Sequence, residues 1–294
     1  MFSDYGRVST TLLAWYFVIV WGVGFIATKT ALQYTGPFML LSLRFSIGAL
    51  LLLPIVLRDH VRWPDSPRQW FHVMVGGLLM HAINLGGSHS AQHYGLSAGI
   101  TALILATQPL LTAVLSASVF SETVTRLQRA GIVLGLGGVA LVVWHKTDIQ
   151  AISGASLTAV TVSLVAITAG SLYQRNFTPR VDLRSASLVQ LLISLLFVAP
   201  LGYWVEGGRI EWSWPFVLAL AFLVVLATLL AFNALHVLMR RGQATRVTSL
   251  MYLTPIIAVV LEWLAFGVVP TAISLLGMAI TCLGVALVFW RRRA

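Results

Sequence analysis

The sequence predicts an all-α membrane protein whose chain crosses the bilayer many times. Of its 294 residues, 58% are hydrophobic and only 10% are charged, whereas about 25% of the residues in a soluble domain are charged. Residues 70–120 contain no Asp, Glu, Lys or Arg. This composition excludes a soluble enzyme, a disordered regulator and a collagen-like chain. The single cysteine, Cys282, excludes a disulfide framework and a cysteine-based metal site.

Ten stretches are long and apolar enough to cross a bilayer core, which takes about 20 residues of α-helix. The predicted spans are residues 11–33, 37–57, 70–92, 97–120, 126–144, 154–175, 184–204, 213–237, 245–267 and 271–290. A short turn at residues 93–97 separates the third span from the fourth. The first stretch is interpreted as a retained helix, because it is too long for a signal peptide and no small-residue cleavage site follows it.

The basic residues predict the orientation of the chain. With the N-terminus and every even-numbered connection on one side, 15 of the 19 Lys and Arg residues lie on that side, three on the other, and Arg44 inside the second span. Because cytoplasmic loops collect Lys and Arg, both termini are predicted to be cytoplasmic, in a bacterial inner membrane. The net charge of +10 is thereby explained without a nucleic acid partner. An interfacial aromatic belt is predicted from the tryptophans at span ends: Trp70, Trp144, Trp204, Trp212, Trp214 and Trp290.

The two halves of the sequence resemble each other at a fixed offset of 146 residues. This offset aligns Gly24 with Gly170, Pro54 with Pro200, Pro109 with Pro255, and Trp144 with Trp290. Each half, residues 1–147 and residues 148–294, holds five spans, so the second half begins on the opposite side of the membrane. The prediction is therefore two inverted five-helix repeats in one membrane domain, as in many secondary transporters. A duplicated membrane protein of another function is the alternative.

Several short motifs occur at matching places on these spans. They are Trp21-Gly22-Val23-Gly24-Phe25 with Lys29, Pro37 with Arg44, Gln108-Pro109-Leu110-Leu111-Thr112 with Glu122, and Leu253-Thr254-Pro255. In these motifs the chain resembles the EamA type of the drug/metabolite transporter superfamily. In its overall likeness it resembles most the YddG-type exporters of aromatic amino acids. The resemblance implies export of zwitterionic, aromatic or cationic small molecules. The chain departs from the repeat at two positions, since Val268 is the counterpart of Glu122, and Gln190 the counterpart of Arg44.

The third span carries the richest polar face. His81, Asn84 and Ser88 are spaced by three and four residues and share one side of a helix. They are predicted to line a substrate pathway; the alternative is hydrogen bonding between helices, worth about 0.6 kcal/mol on average in membranes. His89, Gln92 and His93 form a neighbouring face. His89 and His93 have the spacing of metal ligands, but no carboxylate lies near them in sequence, and no metal or cofactor is predicted.

Four aromatic residues are predicted to lie away from the membrane interfaces. They are Trp21, Phe25, Tyr173 and Tyr252. Stacking on such rings would bind an aromatic substrate in the pathway, each aromatic pair adding about 0.5–1.5 kcal/mol. Ordinary core packing or lipid contact is the alternative.

Two pairs of residues are candidates for gating. By helical rise, Arg44 and Glu262 lie about 10 Å and about 8 Å below the outer ends of their spans, so an ion pair is predicted if the second and ninth spans approach each other. Pro109 and Pro255 occupy equivalent mid-span positions, where proline can kink a helix. Proline is also common in membrane spans without any gating role.

Taken together, these features predict a secondary transporter or facilitator that exports small organic solutes by alternating access, with aromatic amino acids as the leading substrates. A broad cationic drug exporter is the alternative within the class, although the central buried acid that proton-coupled cation antiport favours is missing. From another class, the alternative is an intramembrane enzyme that uses His81, His89 and His93. No catalytic triad motif or nucleotide fingerprint is present. The predicted partners are a small molecule and lipid, and a functional monomer is feasible.

Overall fold

The computed structural model describes residues 10–59, 61–120, 125–150, 152–178, 181–230, 234 and 251–289. The helices are α1 Thr10–Ala31, α2 Pro37–Arg58, α3 Pro67–Gly77, α4 Asn84–His93, α5 Ala98–Leu105, α6 Gln108–Phe120, α7 Arg126–Gln150, α8 Gly154–Phe177, α9 Leu183–Trp204, α10 Trp214–Ala221, α11 Thr254–Phe266 and α12 Ala272–Phe289. Two π-helical segments complete them: π1, Leu78–Ile83, joins α3 to α4, and π2, Phe222–Leu230, continues α10. In the described residues the only other regular pairing is an isolated bridge between Thr35 and Ile210.

Six helical stretches in the described part of the chain are long and apolar enough to cross a membrane. They are Thr11–Ala31, Pro37–Arg58, Ala98–Ser118, Arg126–Trp144, Gly154–Phe177 and Leu183–Trp204. Three shorter apolar helices fall within the predicted eighth, ninth and tenth spans: Trp214–Leu230, Thr254–Phe266 and Ala272–Val288. An all-helical protein of the membrane is thus confirmed, and the count of ten spans stays a prediction.

The helices form two compact units. The first unit comprises Met1–Ile26, Leu96–Ser153 and Leu230–Ala294, and the second comprises Ala27–Gly95 and Gly154–Leu229. Each unit therefore combines segments from both halves of the sequence. Helix α1 contributes its longer N-terminal part to the first unit and its last five residues to the second.

The core of the second unit lies between α2 and α9. Phe45 and Leu52 of α2 are buried with Leu188 and Leu191 of α9 in one apolar cluster, and this burial stabilises the helix pair. The connections at the two ends show that the pair is antiparallel. Thr35 Oγ1, just before α2, donates to the Arg209 carbonyl after α9 at 2.8 Å. At the other end, Asp59 forms an ion pair with Arg184.

The first unit brings α7 and α12 together through glycines. A methyl group on Gly138 would lie 2.5 Å from the carbonyl oxygen of Gly277, so a larger residue cannot fit there. Thr281 Oγ1 bonds the Gly277 carbonyl at 2.8 Å and the Gly135 carbonyl at 3.3 Å. Small residues that permit close backbone approach are typical of helix contacts in membranes.

The fourth predicted span, residues 97–120, corresponds to the apolar stretch Ala98–Ser118 and contains a short turn. Helix α5 ends at Leu105, a turn covers Ala106 and Thr107, and α6 begins at Gln108. Pro109 is the second residue of α6, where its missing N–H breaks no helical bond. The proline thus lies directly after a turn in the span, and its predicted role as a kink or hinge stays a prediction.

A turn lies at the equivalent place in the ninth predicted span. A turn at Tyr252 and Leu253 precedes α11, and Pro255 lies in the first turn of that helix. The first residues of this span, 245–250, lie outside the described part of the chain. The two turns are separated by 146 residues, the offset that aligns the halves of the sequence.

Most other predicted boundaries agree with the structure to within a few residues. The predicted turn at residues 93–97 contains Tyr94 and Gly95, whose φ is 95°, a value that favours glycine. Four of the predicted interfacial tryptophans have highly exposed side chains, namely Trp144, Trp204, Trp212 and Trp214. Such exposure agrees with a place at the membrane interface. Trp290 lies outside the described residues.

Candidate functional site

Both π-helical segments belong to polar regions of the second unit. Segment π1 lies in the third predicted span, and π2, all but its last residue in this unit, lies in the eighth. Shifted by 146 residues, π1 falls on residues 224–229, inside π2. Widened turns of this kind are rare, and they occur often at functional sites. The second unit thus contains an equivalent distortion in two of its helices.

Arg44 on α2 is buried next to π2, with 7% of its surface exposed. Its Nε donates to Thr228 Oγ1 at 2.9 Å. Thr228 Oγ1 in turn donates to the Leu223 carbonyl at 2.8 Å, five residues back along the widened helix. One turn after Arg44, a methyl group on Gly48 would make an ordinary van der Waals contact with the methyl group of Thr228, at 3.7 Å.

His81 lies in π1 and is also buried, with 7% of its surface exposed. Its ring meets Phe45 of α2 edge-on, with 6.0 Å between the ring centroids. The side chain of Gln190 of α9 lies beside the ring, and the charge of Arg44 is close enough to act on it. Gly77 permits this approach, since a methyl group there would lie 2.7 Å from the Gln190 α-carbon.

We call Arg44, His81, Gln190 and Thr228 the Arg44 cluster. Arg44 and Gln190 are 146 residues apart. Arg44 bonds to π2, and Gln190 lies beside His81 of π1. Each of these two equivalent residues therefore approaches the π-helical segment of the opposite half of the sequence. The sequence had identified Gln190 only as the place where the repeat departs from arginine.

None of the carboxylates in the second unit lies within the Arg44 cluster. The acidic residues of that unit are Asp59, Asp65, Asp182, Glu206 and Glu211. All five lie at helix ends or in connections, whereas Arg44 is the eighth residue of α2. Within its unit, then, a buried guanidinium lies among neutral polar side chains.

Ser88 and His89 continue the polar surface along α4. Ser88 Oγ donates to the Leu85 carbonyl at 3.2 Å and lies 3.3 Å from His89 Nδ1. His89 Nε2 and Gln92 Oε1 are both buried and have no hydrogen-bond partner in the described residues. Arg44 is close enough to act electrostatically on His89 as well. Buried polar atoms normally find a partner, so these two atoms mark a place for water or a ligand.

Asn84 binds a neighbouring helix. Its side-chain oxygen and its carbonyl accept hydrogen bonds from Ser163 Oγ of α8 at 2.8 and 2.7 Å, and its Nδ2 donates to the Met80 carbonyl. Gly87, one turn later, also lies directly against Ser163. This arrangement has the geometry of the helix-packing alternative, and a role for Asn84 in the pathway stays a prediction.

Tyr173 belongs to an aromatic cluster near the end of α8. Its hydroxyl lies 2.6 Å from His72 Nδ1. The ring of Phe177 stacks on His72, with 4.8 Å between centroids, and lies 4.6 Å from the Tyr173 ring. His72 lies in the first turn of a predicted span and belongs to no polar face there, so the sequence pattern does not identify it.

The other predicted aromatic residues lie in the first unit. Trp21 and Phe25 are partly buried on α1, and Trp21 packs on Phe17 with 5.4 Å between ring centroids. The intervening Gly22 faces Ile257, so this part of α1 packs against the first turn of α11. Tyr252 lies in the turn that precedes α11, where its carbonyl accepts a hydrogen bond from Cys282.

Glu262 is a buried helix cap, with 2% of its surface exposed. Its two carboxylate oxygens accept the backbone N–H groups of Ala98 and Gly99, each at 2.9 Å. A carboxylate is favourable at a helix N-terminus, where the N–H groups carry partial positive charge. Arg44 and Glu262 belong to different units and each has a partner in its own unit, so the ion pair between them stays a prediction.

Glu206 caps α2 in the same way. Its oxygens accept the N–H groups of Phe38 and Met39 at 2.9 and 2.8 Å. Gly36 makes room for this carboxylate, since any side chain there would collide with it. Sequence reasoning missed both this cap and Thr228, because a loop glutamate and a threonine in an apolar helix leave no pattern that identifies their partners.

The described residues bring no group of three metal-ligating side chains together. A cavity of about 30 Å³ beside Glu262, lined by Gly99, Val259 and Ser274 among others, has room for water but is far smaller than the roughly 300 Å³ of a small-molecule site. The Arg44 cluster is therefore the main concentration of buried polar chemistry in the described structure.

Comparison with known proteins adds to this picture. The EamA-like transporter family matches the chain twice, over residues 8–144 and 152–290. The chain is 29% identical to the uncharacterized transporter YvbV of Bacillus subtilis, covering 98% of this chain and 94% of the relative. It is 27% identical to the uncharacterized inner membrane transporter YedA of Escherichia coli, covering 87% of each. A probable amino-acid metabolite efflux pump of Salmonella typhimurium is 26% identical, covering 92% of each.

The chain also has the fold of a protein whose crystal structure is known. The two chains superpose with a TM-score of 0.69 at 21% sequence identity, covering 96% of this chain and 98% of that chain.

Proposed function

This chain belongs to the EamA-like transporter family, and from that premise we propose that it exports small organic solutes from the cytoplasm by alternating access, with aromatic amino acids as the leading substrates. It is an integral membrane protein whose relatives are named as transporters. YedA is named as an inner membrane transporter, which supports the bacterial inner membrane as the location of this chain.

The observation that carries the proposal is a pair of turns inside two predicted spans. The turns at residues 106–107 and 252–253 lie at equivalent positions of the two halves, each directly before a proline-containing helix start. Paired interruptions of this kind are typical of transporters, where broken helices expose backbone groups near a central site. Such breaks are costly in lipid unless they line a cavity or are covered by protein.

The inverted arrangement is part of the proposal. Two matches to one family, each over one half of the chain, support two five-helix repeats. The antiparallel contact of α2 with α9, which are equivalent helices at the offset of 146, supports opposite orientations of the repeats. The excess of Lys and Arg on one side supports cytoplasmic termini. Because one chain holds both repeats, a monomer would suffice for transport.

The choice of aromatic amino acids rests on two observations. A relative of similar length is named a probable amino-acid metabolite efflux pump, and partly buried aromatic rings occur at Trp21, Phe25, Tyr173 and Tyr252. Rings of this kind can stack on an aromatic side chain. The positive charge of Arg44 argues against the alternative substrate class of organic cations.

The test is counterflow in proteoliposomes. Purified protein is reconstituted into vesicles loaded with unlabelled L-phenylalanine, L-tryptophan, L-tyrosine or tetraphenylphosphonium, and entry of the labelled compound is followed. Faster entry of an aromatic amino acid than in protein-free vesicles supports the proposal. Acceleration of the cation alone would indicate a cation exporter, and a chemically altered solute would indicate an enzyme. Acceleration of none of them would overturn the proposal.

A matched pair of tryptophans on α1 tests the aromatic part. Trp21→Ala is expected to slow counterflow of L-tryptophan severalfold, because each lost aromatic contact costs about 0.5–1.5 kcal/mol. Trp15→Ala on the same helix serves as the control, because Trp15 is 41% exposed. Equal rates for the two variants would assign Trp21 to packing.

Pro109 and Pro255 are proposed as the hinge positions. Replacing either by alanine would extend helical bonding across the adjacent turn. We expect Pro109→Ala and Pro255→Ala to slow counterflow while substrate binding, measured by thermal stabilisation in detergent, stays unchanged. Unaltered flux in both variants would assign the prolines to helix initiation alone.

A further inference from the structure

We propose that Arg44 binds the carboxylate of the transported solute, so that the solute is an anion or a zwitterion. This inference rests on the proposed export function and adds the substrate class and its anchoring residue. It is carried by a buried cation that has no carboxylate in its own unit, placed between two distorted helices of that unit.

Burial of the Arg44 charge costs free energy. A buried charge is stable only when it is paired or well hydrogen-bonded. In the described residues, Nε donates to Thr228, and the two terminal Nη groups make no hydrogen bond. Charged residues inside membrane spans are rare and mark substrate or ion pathways. Within the described residues, four N–H donors of the guanidinium are therefore available to an acceptor.

The guanidinium group of Arg44 has a shape that selects its ligand. Its planar fork of donors matches a carboxylate and can bind both oxygens at once. The bond from Nε to Thr228 fixes the plane of this fork against π2. A carboxylate bound to the Nη groups would neutralise the charge, which explains why a cation is tolerated so deep in an apolar unit.

Two buried polar atoms on α4 likewise have no hydrogen-bond partner among the described residues. His89 Nε2 and Gln92 Oε1 are buried without a partner in the described residues, and Arg44 acts electrostatically on His89. His89 Nε2 can receive a further polar group of a bound solute, such as its ammonium group. An amino acid supplies the carboxylate and the ammonium together.

A purely structural role for Arg44 is the competing explanation. In that case Arg44 would serve only to hold π2 through Thr228, and any long side chain with one donor would replace it. The two explanations differ in what they predict for ligands, because only the binding role makes the protein sensitive to the charge of the solute.

The experiment compares three compounds that share a phenyl group and differ in their charged groups. L-phenylalanine is a zwitterion, 3-phenylpropionate carries only the carboxylate, and phenethylamine carries only the ammonium. Binding is measured by thermal stabilisation of the purified full-length protein in detergent over a range of concentrations. We expect both carboxylates to bind at least about tenfold more tightly than phenethylamine, as charge-assisted hydrogen bonds require. Equal binding of phenethylamine would overturn the inference.

Three variants locate the effect. Arg44→Gln removes the charge and is expected to weaken both carboxylates by about tenfold or more. Arg44→Lys keeps the charge but loses the fork, so an intermediate affinity is expected. Arg209→Gln, at an exposed position, changes the net charge equally and is expected to bind like the wild type. Wild-type affinity for carboxylates in a folded Arg44→Gln protein would also overturn the inference.

The experiment also covers a variant that does not fold, and it separates carboxylate binding from export. If Arg44→Gln does not fold, the preference of the wild-type protein among the three compounds and the affinity of Arg44→Lys still decide the matter. Carboxylate binding without counterflow in vesicles would refute export and leave the Arg44 site standing. Counterflow without any preference for carboxylates would refute the Arg44 site and leave export standing.

Discussion

Glu206 and Glu262 make the same contact at two different helices. Each carboxylate accepts two consecutive backbone N–H groups at the start of a helix that is distant in sequence, α2 for Glu206 and α5 for Glu262. The N–H groups at a helix start have no partner within the helix, and in lipid an unpaired one costs several kcal/mol. Both glutamates therefore satisfy donors that the bilayer cannot.

Glu262→Gln is expected to lower the free energy of unfolding by about 1–3 kcal/mol, because the charged acceptor is lost and one N–H group loses its partner. Chemical denaturation in detergent, followed by circular dichroism, measures the change. The control is Glu211→Gln, an exposed glutamate whose replacement is expected to change the free energy of unfolding by less than about 0.5 kcal/mol. Equal stability of the two variants would contradict a capping role for Glu262.

The sequence predicted the extent of most helices well and their interruptions poorly. Apolar length identifies a span such as Gly154–Phe177, because about 20 residues must cover the bilayer core. A widened helical turn such as π1, or the two-residue turn at Ala106, leaves the average hydropathy of its span unchanged. Such local changes are fixed by packing, which the sequence pattern does not encode.

Among the polar residues, too, the sequence identifies some members of the cluster and not others. Arg44 and His81 stand out as polar residues in apolar spans, and the structure places both in one buried cluster. The hydroxyl of Thr228 is a usual component of membrane helices, so the sequence offers no reason to select it. Glu262 was predicted to pair with Arg44 from its depth alone. Depth fixes the level of a side chain in the bilayer, but the direction in which it points depends on packing.

Two adjacent glycines on α7 provide a test of helix contact. Gly138→Ala would place a methyl group 2.5 Å from the Gly277 carbonyl oxygen, whereas one on Gly137 would meet no atom within 4 Å. We expect Gly138→Ala to cost about 1–3 kcal/mol of stability through overpacking. Gly137→Ala is expected to be neutral or slightly stabilising, because alanine has the higher helix propensity. Denaturation of the two variants side by side measures the difference, and a destabilised Gly137→Ala with an intact Gly138→Ala would refute this contact.

The bond between Asn84 and Ser163 separates the two interpretations of Asn84. If Asn84 serves packing, Asn84→Ala and Ser163→Ala each cost about 1 kcal/mol, and the double variant costs less than their sum. Substrate binding, measured by thermal stabilisation relative to each variant without ligand, is expected to stay at the wild-type level. A folded Asn84→Ala protein with full stability and lost binding would instead place Asn84 in the pathway.

The ion pair between Arg44 and Glu262 can be tested by a double-variant cycle. In the structure Arg44 bonds to Thr228, and Glu262 bonds to the start of α5. Because each residue bonds within its own unit, the stability losses of Arg44→Gln and Glu262→Gln are expected to add within about 0.5 kcal/mol. The same cycle measured on counterflow rates reports other access states, since an ion pair that forms only during transport would make the rate losses non-additive. Additive losses in both measurements would exclude the pair from the transport cycle and leave Arg44 available to the solute.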